Sequence, residues 1–192
     1  MNTDSTLRTR PDRATLAFIT VALAVACAAS APLDAQTTHS GLVIDAFPNE
    51  VRELVIEAEV AATTEGRFRR SEHLYRAAAE TMGDAPEAAN LYMAAARMAY
   101  YAGSGRRALI HLDRAGEGAL AWGDVNLAAH AFLDRAAVAT ELGEVGIAQI
   151  LLERARRLSR SPLLQPIERI ALAARLDPDA SILELRGERI SR

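Results

Sequence analysis

The chain has 192 residues, enough for one domain with a real core, and carries a net charge of −3. All 22 basic residues are arginine, and the missing basic excess argues against nucleic-acid binding. Half of the residues are apolar but only 5% are aromatic, and alanine supplies much of the apolar total. That balance favours helices packed closely through small side chains.

The N-terminus carries Arg8, Arg10 and Arg13 ahead of an apolar run from Ala14 to Ala29, followed by small residues. This order predicts a secretory signal peptide over 1–35, and hence export to a periplasmic or secreted location. The run is shorter than the about 20 residues of a membrane span. Cleavage after Ala35 is preferred; Ala29-Ser30-Ala31 also has the small-x-small form, but Pro32 would follow the cut. The stretch "LAVAC" ending at Cys27 resembles a bacterial lipobox, so an alternative is a lipoprotein anchored through Cys27, the one case in which a membrane is implied. Cys27 is the only cysteine. Cleavage after Ala35 leaves no thiol and no disulfide in the mature chain.

Residues 36–48 read as a linker. From Asn49, a candidate N-cap, to about Leu176 the apolar spacing is helical and no strand is expected. Breaks fall at Gly66, Gly83-Asp84, Gly103-Ser104-Gly105, Trp122-Gly123-Asp124, Gly143 and Ser161-Pro162. The helices between them run for about 13 to 18 residues. Pro166 is suited to the first turn of one further helix. Residues 177–192 read as a short final helix or tail.

Three stretches align on Gly66, Gly103 and Gly143. Phe68, Gly105 and Val145 follow by two residues. Then come Ser71, Ala108 and Ala148; Tyr75, Leu112 and Leu152; and Ala78, Ala115 and Ala155. Self-similarity at such a period signals stacked helical hairpins. The pattern G-x-[FV]-x-x-[AS]-x-x-x-[YL]-x-x-A, with Gly105 its one departure, resembles the second half of a tetratricopeptide repeat. In the first halves, Tyr92 with Ala96 and Phe132 with Ala136 fit the family, whereas Val55 with Glu59 does not, which makes the first copy a doubtful repeat or a cap. The resemblance covers about residues 50 to 161 and implies an all-α, right-handed α-solenoid of about three hairpins over 49–176, closed by a C-terminal capping helix. The competing reading is an ordinary alanine-rich helical bundle.

His39, His73, His111 and His130 are scattered, with no pair at the spacing of a helical metal site. There is no nucleophile elbow, no Walker loop and no dinucleotide fingerprint. Neither a cofactor nor a metal is expected, and an enzyme whose site escapes these motifs is the rival class. The triplets at Asp113, Asp134 and Glu153, each acid-Arg-Ala, read as surface charges in weak local salt bridges. In resembling proteins the first helix of each hairpin lines a groove. That implies a contact set of Asn90, Met93, Arg97, Tyr100 and Tyr101 in the second copy, and of His130, Leu133, Ala137, Thr140 and Glu141 in the third. Asn90, Arg97, Tyr100, Tyr101 and His130 are the candidate peptide-binding residues. The spacing alone leaves open whether the tyrosines line a groove or plug the core. The function these features imply is an exported, non-catalytic scaffold for a protein or peptide partner, in an envelope assembly.

Overall fold

A computed structural model describes residues 42–177. The expected signal peptide, Cys27 and the residues beyond Asp177 lie outside them. Seven α-helices follow one another: α1 (Asn49–Thr63), α2 (Phe68–Met82), α3 (Ala88–Tyr101), α4 (Gly105–Ala121), α5 (Val125–Glu141), α6 (Val145–Ser159) and α7 (Pro166–Leu176). No β-strand occurs among the described residues. From α1 to α6 each helix packs chiefly on its neighbours in sequence, and α7 lies on both α5 and α6. This is an all-helical architecture of packed consecutive helices.

Turn chemistry sets where the helices stop. Gly103, Gly123 and Gly143 all take positive φ, at 75°, 77° and 78°. Each turn closes the same way. The glycine N–H reaches the carbonyl three residues back, and the next N–H reaches five back: Ser104 to Ala99, Asp124 to Ala119 and Glu144 to Ala139, at 2.8–2.9 Å. That is the Schellman arrangement, and a left-handed residue is what it requires. Asp124 also caps α5, its carboxylate accepting from the Leu127 N–H at 2.9 Å. At α7, which has no glycine before it, the Glu168 carboxylate reaches back to the Gln165 N–H at 2.7 Å. The expected cap Asn49 instead begins α1, and Pro48 precedes it.

The aligned positions are interior. Ser71, Ala108 and Ala148 are buried, as are Tyr75 and Leu112 and all of Ala78, Ala115 and Ala155; Leu152 is half-buried. Gly105 departs from the pattern because its missing side chain makes room for Leu142: a Cβ there would lie 3.2 Å from the leucine Cδ2. Gly116 brings α4 onto α5, since a Cβ would come within 2.7 Å of the Phe132 ring. Glu59, out of place for a repeat, accepts a hydrogen bond from the Tyr75 hydroxyl of α2. The stretch read as a linker is structured near its end. Residues Ile44–Ala46 form a 3₁₀ turn, and Leu42 and Phe47 are buried against Val51 and Val55.

Surface charges also keep the register. Arg114 on α4 lies 3.6 Å from Glu80 on α2 and sits over the Tyr92 ring at 5.4 Å. Arg154 on α6 pairs in two-point fashion with Glu117 on α4 and sits over the Phe132 ring at 4.1 Å. Glu80 and Glu117 hold the same place after Gly66 and Gly103, and Arg114 and Arg154 the same place after Gly103 and Gly143. Arg114 and Arg154 are therefore more than local partners: each joins a ring on the helix before its own to an acid on the helix before that, whereas Arg135 of the middle triplet pairs with Asp113. An exposed ion pair alone is worth little, and contact with a ring face adds to it. Glu153, in contrast, pairs with Arg156 of its own helix.

Candidate functional site

Helices α1 and α3 each bury one stripe and leave another available. On α1, Val51, Val55 and Ala58 are buried, at helical spacing. Ile56 and Val60, four residues apart, stay 45% and 47% exposed. On α3, Asn90 is exposed, Met93 and Arg97 are half-buried, and Tyr101 is 40% exposed. Where the two helices end, Ala62, Thr63, Phe68, Met98 and Tyr101 line a cavity of about 290 Å³. Phe68 and Tyr101 form its aromatic wall, with ring centroids 5.5 Å apart and a 53° tilt. Phe68 also borders a second cleft of about 430 Å³ beside Arg67, Arg69 and Arg70.

Arg97 lies one helical turn before Tyr101 on α3. It has no ion pair among the described residues, and its Nε is buried without a hydrogen-bond partner. A half-buried guanidinium with an unmet donor favours an incoming acceptor, a carboxylate above all. The arginines at the second cleft are mostly engaged: Arg70 with Glu57, and Arg67 with Glu65 at 3.3 Å.

The five candidate residues separate. Arg97 and Tyr101 share one helix face beside the cavity, and Asn90 lies on the same helix, exposed. Tyr100 points elsewhere. Its hydroxyl donates to the Glu141 carboxylate at 2.8 and 3.0 Å, tying the end of α3 to the end of α5. Burial first, then that bond, push the Tyr100 hydroxyl up to about 12. His130 is buried rather than open to a groove, because α7 covers it. Its Nδ1 accepts from Arg175 of α7, which also pairs with Asp134. Burial, then the Arg175 charge, lower its pKa to about 4. Leu133 is buried as well, while Ala137, Thr140 and Glu141 are exposed.

Sequence reasoning missed Ile56, Val60, Phe68 and Met98. The signal for the first two was present: apolar residues off the buried stripe of α1. A second polar cluster was also missed. Glu72 on α2 is buried, accepts from Arg107 Nε at 2.9 Å and lies 3.1 Å from His111 Nε2 on α4. Tyr92 stacks on that imidazole with centroids 6.3 Å apart. Burial lowers the His111 pKa, so the ring is neutral at pH 7 and donates from Nε2. Among the described residues no group of three His, Cys, Asp or Glu side chains is placed to hold a metal ion. No described helix is long and apolar enough to cross a membrane. Comparison of the chain with known protein families, characterised proteins and solved structures finds no match.

Proposed function

We propose that the chain is an exported, non-catalytic scaffold, a right-handed tetratricopeptide-like solenoid, whose α1–α3 valley binds an extended segment of a protein partner. The observation that carries this reading is Arg97, half-buried, without an ion pair among the described residues and one helical turn before Tyr101 of the aromatic wall. Apolar contact, two rings and one cation suit a segment that places an acidic side chain next to a large apolar one. The apolar side chain would enter the cavity and the carboxylate would meet the guanidinium. The three aligned turn glycines and the repeated Arg–aromatic–Glu contact support the solenoid. The arginine flank and apolar run at the N-terminus support export.

Selection against a displayed random-peptide library tests the binding site. Enriched peptides are expected to carry Asp or Glu within two residues of Leu, Ile, Phe or Met. Changing Arg97 and Tyr101 together to Ala should weaken those peptides about thirtyfold, the usual cost of a central anchor. The melting temperature should stay near that of the parent. Enriched peptides that bind the double variant equally well would place the site elsewhere.

A further inference from the structure

The C-terminal end of the helical array is built differently from the rest. Among the described residues, half of the exposed large apolar side chains lie on α6, α7 and the turn between them: Val145, Ile147, Ile150, Leu163, Ile167 and Ile170. A terminal helix ordinarily shows a polar outer face. Here α7 buries Leu172 on one side and leaves Ile167 and Ile170 61% and 62% exposed on the other, with Leu163 at 69% in the preceding turn. The charge changes as well. Residues 145–177 hold six arginines against three acidic residues, in a chain whose net charge is negative. Arg154, Arg156 and Arg175 are paired, whereas Arg157, Arg160 and Arg169 are exposed and have no ion pair among the described residues.

We propose that this face, from Arg157 to Ile170, docks on an anionic lipid surface. The apolar side chains protrude rather than line a recess, which suits insertion between lipid headgroups and not the capture of a side chain in a pocket. The arginines flank them within the same fourteen residues, and long cationic side chains reach outward to phosphate while their stems stay on apolar ground. A second copy of the chain is a poorer occupant. Three large side chains are few for the roughly 800 Å² per partner of a stable dimer. A two-fold contact through this patch would also bring unpaired arginines together. The inference is independent of the α1–α3 valley.

Residues 14–29 are themselves apolar, so vesicle sedimentation of the full chain does not identify the face and the reporter must be local. An environment-sensitive fluorophore is attached at Ala173→Cys, an exposed position on α7, with Cys27→Ser removing the native thiol. Vesicles of phosphatidylcholine with phosphatidylglycerol should shift its emission to the blue, and phosphatidylcholine alone should not. Salt at about 1 M should remove the shift, since it shortens screening to about 3 Å. Changing Arg157, Arg160 and Arg169 together to Gln should weaken the response about a hundredfold. Leu163→Ser with Ile167→Ser and Ile170→Ser should abolish it while the circular dichroism is unchanged. Unaltered emission with anionic vesicles overturns the proposal, as does an equal shift with neutral ones. A lipid-free shift that grows with protein concentration and doubles the sedimenting mass would assign the face to a second copy instead. Blue emission at every dilution without lipid would show it covered by the chain itself.

Discussion

A neutral imidazole beside a guanidinium holds its place only while it stays neutral. His130 accepts from Arg175 and is buried under α7, so protonation would set two cations against each other in a site with little water. Asp134 and Asp124 oppose this only in part. The unfolded chain takes up this proton near pH 6.5, whereas the folded chain refuses it until about pH 4. The folded form is thus favoured above pH 6.5, and the contribution is lost as pH falls through that window. Its size is roughly 3 kcal/mol at most. His111, also lowered by burial, acts in the same direction. The expected result is a fall in urea midpoint between pH 7 and pH 4.5 that is clearly smaller in His130→Gln, which keeps an acceptor for Arg175. Equal falls in the two proteins would mean that His130 is protonated in the fold.

At the scale of single helices, two glycines of α4 stand two residues apart and should respond in opposite directions. A methyl group on Gly116 would run into the Phe132 ring, which is fully buried and already carries Arg154 on its face. Gly116→Ala should therefore cost about 1–3 kcal/mol despite the better helix propensity. A methyl on Gly118 would meet only the Ala89 Cβ at an ordinary 3.8 Å. Gly118→Ala should gain about 0.5–1 kcal/mol. Thermal melts of the two variants beside the parent check both signs. The same contrast shows what the sequence can reveal. The turn glycines were legible because a left-handed turn residue leaves few alternatives to glycine. The interior alanines were legible because helical spacing places them on one face. Gly105 was not, since its partner Leu142 comes from the turn after α5, far along the chain. Neither was the burial of His130, which depends on where α7 lands. Tyr100 and Tyr101 are neighbours in sequence, but one turns toward Glu141 of α5 and the other toward Phe68 of α2. Only packing distinguishes such adjacent positions.

At the scale of the whole array, stability is a chain of neighbour contacts, because each helix from α1 to α6 packs mainly on the ones before and after it. Loss at one end should then stay near that end, whereas loss in the middle should spread both ways. Leu172 is the one fully buried residue of α7 and joins a cluster with Leu151, Ala155 and Phe132 on α5 and α6. Leu172→Ala should remove about 2–5 kcal/mol of packing there. Arg175 would lose its hold over His130 and Asp134 as α7 loosens. Amide exchange should therefore quicken in α7, α6 and the second half of α5, while α1 to α3 keep their protection. Leu91, equally buried but on α3 among Val55, Tyr75 and Ala95, provides the contrast. Leu91→Ala has a similar cost and should weaken protection from α1 through α4. If Leu172→Ala speeds exchange equally in all seven helices, the molecule unfolds as one unit and the neighbour-by-neighbour account fails. If protection is lost only near each altered residue, the helices are coupled in series, as the Glu80–Arg114 and Glu117–Arg154 contacts imply.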